Sequence, residues 1–279
     1  MNKIGIDAGH GGAYTGTYSV DTQKDKLYEK HYALRLAKLV RDILQENGFT
    51  VVMTRESDIR PGDVSQRAMT LANAGCDYAV SLHFNGVTNP AANGCEVFVP
   101  YASEDGRIAA GYQKYLGKFF AIRAPFARSN DLKDRNATFD KKLDVANGKF
   151  KAAKSKQDYF GFIRTGWQFG MRADLLEVCF LTNRVDFDTY VKNEAAIAEA
   201  IARAIIDGFG KKWSVPESPA TVPDHLYRVG KYWANGKCAG QIGAYRVLTN
   251  ATAACPTGYR VYDETGKIVF RRMSQENRR

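Results

Sequence analysis

No stretch of this chain approaches the ~20 consecutive apolar residues that a bilayer-spanning helix needs, and none has the build of a secretory signal. Its five cysteines are an odd number and contain no Cys-x-x-Cys spacing. These absences argue against a membrane protein, a thiolate zinc site and a disulfide scaffold. Met1 leads at once into an apolar strand, so the protein is expected to be made without an export address of its own. In that reducing birthplace Cys238 and Cys255 are not expected to pair. Cys76, Cys95 and Cys179 sit in or beside apolar runs, where free cysteine behaves as a small hydrophobe.

What is present has the ordinary apolar and charged fractions of a soluble globular protein. With 279 residues, there is room for one medium domain and a small second one. The net charge of +10 is uneven. From His225 to Arg279, ten Lys/Arg face three Asp/Glu, which leaves +7 in the last 55 residues. A tail this basic points to a polyanionic partner, or to nothing more than a solvated face.

The chain is organised around its first thirteen residues. Ile4–Ala8 is a short apolar strand running into Gly9-His10-Gly11-Gly12, which delivers His10 at the carboxyl edge of a sheet. In open α/β sheets that edge is where ligands bind. A histidine after a strand also serves as a plain polar turn residue, so His10 alone decides nothing. Asp77–Gly86 repeats the pattern, an apolar strand ending in His83 and then Asn85-Gly86. Asp174–Asn183 is a third apolar run, with Glu177 in its middle. A carboxylate there is costly unless it is paired, hydrogen-bonded or beside a metal. Two strand-end histidines and an in-strand glutamate form a metal and acid/base set.

Between these strands, apolar spacing predicts a helix over Leu27–Asn47, stopped by Gly48. Glu29 lies in its first turn, where an acid also suits the helix dipole. His31 is two residues on, about 200° around the helix, so only Glu29 is expected to serve the site. A second strand is predicted over Phe49–Arg55, then a helix over Ser65–Ala74 that carries Arg67. A strand over Asn93–Pro100 and a helix over Arg107–Phe120 follow. The pattern fails between Ala124 and Gln157, as it does in functional or mobile loops. Tyr159–Arg164 reads as a short strand, and Asn193–Phe209 as the closing helix. Two strands joined through the Leu27–Asn47 helix imply a parallel βαβ unit. The fold class expected is therefore α/β, a twisted, mostly parallel sheet flanked by helices.

Ser214–Asp224 is rich in Pro and Ser and reads as a semi-rigid linker. The expected domains are 1–212, a linker over 213–224 and a small basic α+β module over 225–279. In that module a strand is predicted at Tyr227–Val229 and a helix near Arg246–Cys255. A hairpin should pair Tyr259–Tyr262 with Ile268–Phe270.

Taken in order, these pieces resemble the zinc-dependent N-acetylmuramoyl-L-alanine amidases of the amidase 3 family. The matching segments are Ile6–Gly12, Glu29 opening its helix, Val51–Arg55, Arg67 with Ala72-Asn73, Ser81–Asn85 and Leu176–Asn183. The resemblance implies zinc held by His10, Glu29 and His83, with a fourth position open to water. It implies Glu177 as the catalytic acid/base, and peptidoglycan as substrate, cut between the lactyl group of N-acetylmuramic acid and L-alanine. Asn85 is carried over as a substrate-binding residue, and Arg164 as a substrate-binding residue or a neighbour of Glu177. The stretch 130–157 is longer than the family usually has, and Gly166–Gly170 has no counterpart.

Tyr227–Phe270 resembles short modules appended to phage lysins, and Gln241–Tyr245 with Asn250-Ala251 resembles part of a septal-peptidoglycan-binding repeat. The order of parts resembles a phage or prophage endolysin, made in the host cytoplasm and released to the wall by a holin. The basic module would then bind anionic wall polymers, or join copies of the chain as a homo-oligomer. Neither a membrane nor nucleic acid is an expected partner, since the tail has no recognisable nucleic-acid motif. Two other readings stay open: a zinc peptidase cutting within the stem peptide, and a wall-binding protein without catalysis. Against the former, no His-x-x-Glu pair lies near either strand-end histidine.

Overall fold

The structure, a computed structural model, describes residues 2–123, 143–144, 146–150, 158–213, 226–234, 237–245, 251, 254–256, 258–263 and 265–271. The chain divides into two compact units, residues 1–214 and 215–279.

Seven strands belong to the first unit: β1 (Lys3–Ala8), β2 (Thr50–Met53), β3 (Tyr78–Asn85), β4 (Glu96–Phe98), β5 (Leu143–Asp144), β6 (Lys149–Phe150) and β7 (Arg172–Phe180). Its helices are α1 (Thr22–Asp25), α2 (Glu29–Glu46), α3 (Val64–Asn73), α4 (Arg107–Leu116), α5 (Gly161–Gln168) and α6 (Arg184–Gly208). The central sheet has the order β2-β1-β3-β7-β4. Its first four strands run parallel, and β4 closes the edge antiparallel to β7. This is the α/β architecture expected from the sequence.

Alternation along the strands makes three layers. Ile4, Ile6, Val80, Leu82, Leu176 and Val178 face the larger core, shared with Leu36, Val40 and Leu44 of α2, Tyr112 of α4 and Ile201 and Ile205 of α6. Ala79 and Ala173 face the other way, against Ala68 and Leu71 of α3 and Phe162 of α5. Asp7, Ser81, His83 and Glu177 lie on that second face by the same alternation. The helices start where their caps allow. Asp63 accepts hydrogen bonds from the amides of Ser65 and Gln66, and Gln66 Oε1 accepts one from the Asp63 amide, a reciprocal cap for α3.

Two expectations are corrected. Residues 159–164 do not form a strand: α5 begins at Gly161 and carries Arg164. Short apolar runs fit either structure. Here Phe162, Ile163, Thr165 and Gly166 are all buried, a helical spacing that seats α5 against β7. The closing helix begins at Arg184, nine residues before the predicted Asn193, which instead marks an interruption with non-helical backbone. Phe187 and Tyr190 extend the buried stripe, and Asn183 caps the start by accepting from the Asp186 amide at 2.9 Å. Between β1 and α2 the chain forms the single turn α1. Within the 130–157 stretch, β5 pairs with β6, and the rest lies outside the described residues.

In the second unit, β8 (Tyr227–Gly230), β9 (Tyr232–Ala234), β10 (Lys237–Ala239), β11 (Gly243–Tyr245), β12 (Arg260–Tyr262) and β13 (Ile268–Arg271) follow one another. They form an antiparallel sheet β11-β8-β12-β13 and a separate β9–β10 hairpin. The predicted hairpin is the β12–β13 pair. Strands β9, β10 and β11 were not expected. Of the helix predicted near Arg246–Cys255, most lies outside the described residues. Val229, Ala251, Cys255 and Val261 make its small core. All five cysteines are free thiols.

Candidate metal centre and acid/base site

The site lies at the carboxyl end of β1, β3 and β7. The Gly9 amide extends the β1–β3 pairing by donating to Leu82 O at 3.0 Å, after which the chain turns sharply. His10 takes a left-handed φ of 60°. For a residue with a Cβ this costs on the order of 1–2 kcal/mol and persists only where the surroundings enforce it. The loop then passes so close over α2 that a Cβ on Gly16 would strike Glu29 Oε2 and His10 Cδ2. Glycine is needed there for space as well as for its φ of 69°.

These elements bring His10, Glu29 and His83 together. Their ligand atoms lie within 4.8 Å of one another. Glu29 Oε1 is 3.1 Å from His10 Nε2 and 2.9 Å from His83 Nδ1, and it accepts from the Phe84 amide at 3.0 Å. Glu29 Oε2 accepts from the Thr17 amide at 2.9 Å. Burial works to raise the Glu29 carboxyl, and hydrogen bonds from the two imidazoles outweigh it, holding the group well below the usual carboxylate range. Two imidazole nitrogens and one carboxylate oxygen are a donor set for catalytic zinc, which takes three protein ligands. Donors on a tetrahedral zinc at ~2.0–2.1 Å stand roughly 3.3 Å apart, near the 3.1 and 2.9 Å that separate Glu29 Oε1 from the two imidazole nitrogens. The residues therefore fit a single divalent ion. His31 turns away from it: its Nδ1 accepts from the Tyr28 amide, and its Nε2 is 3.9 Å from Asp58.

Glu177 lies in register with His83 across β3 and β7, so both side chains leave the same face. Its Oε2 is buried and has no hydrogen-bond partner among the described residues. Burial, then the negative charges of Glu29 and Glu96, push this carboxyl well above its usual range. Such a group is a proton acceptor of unusual strength, as general bases are.

Asn85 ends β3 and donates from Nδ2 to Glu96 Oε2 at 3.1 Å. Arg164 lies on α5 with its Nη1 donating to the carbonyls of Asp158 and Tyr159 at 2.9 and 3.2 Å. Three groups escaped the sequence reading. Glu96 faces Glu177 from β4 and is ion-paired with Arg123; an acid in an apolar strand, the signal that marked Glu177, could have found it. Asp7, fully buried, accepts from Thr54 at 2.7 Å and Ser81 at 2.6 Å and pairs with Arg67 at 3.0 Å. Arg55 donates to the carbonyls of Ala8 and Gly9, which lead into His10.

The sequence profile of the family described as N-acetylmuramoyl-L-alanine amidase, Amidase_3, matches residues 4–207. The chain belongs to this family. The N-acetylmuramoyl-L-alanine amidase AmiA of Escherichia coli (strain K12) is 34% identical over 113 residues, 40% of this chain and 36% of that protein. The N-acetylmuramoyl-L-alanine amidase CwlM of Bacillus licheniformis is 26% identical over 253 residues, 90% of this chain and 78% of that one. The catalytic domain of the amidase CwlV from Bacillus (Paenibacillus) polymyxa var. colistinus superposes with a TM-score of 0.55 at 26% identity. That match covers 76% of this chain and the whole of the other. An Amidase_3 profile running from β1 into α6 spans every strand that carries the site.

Proposed function

We propose that this chain is a zinc-dependent peptidoglycan amidase, cleaving the amide between the lactyl group of N-acetylmuramic acid and L-alanine of the stem peptide. The observation that carries this reading is the meeting of His10, Glu29 and His83 within 4.8 Å, with Glu177 in register beside His83. His10 Nε2, Glu29 Oε1 and His83 Nδ1 would hold the ion. Zinc bound there would polarise the scissile carbonyl and make water acidic enough to lose a proton near neutral pH.

Glu177 takes that proton at its unpartnered oxygen as the water oxygen bonds to the carbonyl carbon. It then delivers the proton to the alanine nitrogen as the C–N bond breaks, leaving a carboxylate on the lactyl group and a free amine on alanine. The amides of Thr17 and Phe84 hold the Glu29 carboxylate in place beside the two imidazoles. Asn85, fixed by Glu96, bounds the site beside Glu177 and contacts the substrate from there. Arg164, its guanidinium on the carbonyls of Asp158 and Tyr159 before α5, would meet the substrate from there.

The second unit is the wall anchor of this reading, its +7 charge suited to anionic wall polymers. The catalytic unit followed by a small basic module fits an endolysin that reaches the wall from the cytoplasm. The test is mass spectrometry of fragments released from purified walls. Products should carry a new N-terminal alanine and intact muramic acid, and a chelator should stop their release. Glu177→Gln should retain zinc and lose about 10²–10⁴-fold in rate. A different new amine would move the scissile bond into the stem peptide and end the reading.

A further inference from the structure

Just beyond β2, Arg55 is 2% exposed, and its guanidinium is spent on backbone carbonyls. Nε donates to Ala8 O at 2.9 Å, Nη2 to Gly9 O at 2.8 Å and to Lys30 O at 2.7 Å, and Nη1 to Ser57 O at 3.2 Å. Ala8 and Gly9 lead into His10; Lys30 follows Glu29. Three residues further on, Asp58 binds the turn beyond His10 and the side chain of Lys30. Its Oδ1 accepts from the Gly12 amide at 2.9 Å, and its Oδ2 from Lys30 Nζ at 2.6 Å. Lys30 Nζ also donates to Gly12 O at 2.8 Å.

We propose that Arg55–Asp58 is a clamp that sets the spacing of His10 and Glu29 through their backbones, with Arg55 a positioning residue for the metal. The inference rests on the zinc reading above. His10 and Glu29 come from a turn and a helix start nineteen positions apart in sequence, and the turn holds a left-handed φ at His10. A conformation of that kind persists only where its surroundings over-determine it. The clamp grips the turn before and after His10 and ties both grips to the residue after Glu29. Groups behind the ligands commonly set ligand orientation, and their loss costs ~10–100-fold in metal affinity. Lysine cannot replace arginine here, because one ammonium cannot span carbonyls that the planar fork reaches together.

The test titrates zinc into the metal-free full-length chain against a chromophoric chelator and records the visible spectrum with Co²⁺ in its place. The variants are Arg55→Lys, Asp58→Asn and, as a control, Arg172→Lys, which disturbs a buried arginine bound to Asp174 rather than to the ligand segments. Arg55→Lys should bind zinc ~10–100-fold more weakly, with a changed Co²⁺ spectrum. Asp58→Asn should shift both in the same direction by less, and Arg172→Lys should leave both at wild-type values. Wild-type affinity and spectrum in Arg55→Lys overturn the clamp, as does equal weakening in Arg172→Lys. Should Arg55→Lys fail to fold, Asp58→Asn decides, since Asp58 is 42% exposed: wild-type affinity there overturns the proposal. A wild-type chain that takes up no zinc ends the zinc reading and the clamp with it, whereas a zinc-binding wild type with unaffected variants ends the clamp alone.

Discussion

Glu96 on β4 stands directly opposite Glu177 on β7, so two carboxylates leave neighbouring strands on the same face. Glu96 is balanced by Arg123 and by the Asn85 amide, whereas Glu177 Oε2 has no hydrogen-bond partner among the described residues. Burial first, then the charges of Glu29 and Glu96, hold the Glu177 carboxyl well above its usual range.

With Glu177 as the general base proposed above, this arrangement should set the acid limb of the pH–rate profile. A general base works deprotonated, so kcat/KM should climb with pH as Glu177 loses its proton. Glu96→Gln removes one neighbouring negative charge and leaves the Arg123 cation unbalanced. Both changes favour ionised Glu177, so the acid limb should move to lower pH. Rates on a soluble muramyl peptide across a pH series would show it. An acid limb that stays in place, or moves upward, would mean that a group other than Glu177 titrates in that limb.

Stability should respond sharply at Asp186, which is 5% exposed. Its Oδ2 accepts from the amides of Gly94, just before β4, and Phe180, the last residue of β7, at 2.7 and 3.0 Å. Asp186→Ala would leave two buried N–H groups unpaired, at ~1–3 kcal/mol each. The urea midpoint should fall accordingly with an unchanged slope. Asp186→Asn keeps an acceptor oxygen and should cost less. An unfolding free energy within ~0.5 kcal/mol of wild type in the alanine variant would show that water replaces the lost acceptor.

The mostly parallel sheet was legible in its periodic elements, and His10 and His83 in the turn signals that end their strands; Glu29 joined them through the family resemblance. What was not legible depends on register and on backbone acceptors. Glu96 becomes a neighbour of Glu177 only once β4 turns antiparallel against β7. Arg55 acts through carbonyls, which leave no trace in side-chain pattern. The six residues 159–164 are too short a run to separate strand from helix by period. At Arg184–Lys192, Phe187 and Tyr190 are the only large side chains facing inward, so the start of α6 showed mainly in its Asn183 cap.

Truncation after Ser214 removes the basic module and leaves intact the first unit's sheet, its larger core, and the Arg203 guanidinium 4.3 Å over the Trp213 ring. The shortened protein should therefore hydrolyse a small soluble muramyl peptide at close to the parent rate. On whole walls it should be slower, because a tethered catalytic unit works at a raised local concentration of substrate. The part of that advantage due to charge should shrink as salt rises, since exposed charges are screened over about 8 Å at physiological ionic strength. A site that binds glycan through hydrogen bonds would keep its advantage in salt. Sedimentation of full-length and truncated protein with purified walls across a salt series separates these outcomes. Equal sedimentation at every salt concentration would remove the module as the wall anchor. Self-assembly through the edge strands β11 and β13, the outer strands of its four-stranded sheet, would then be the reading to test by the oligomeric state of the two proteins.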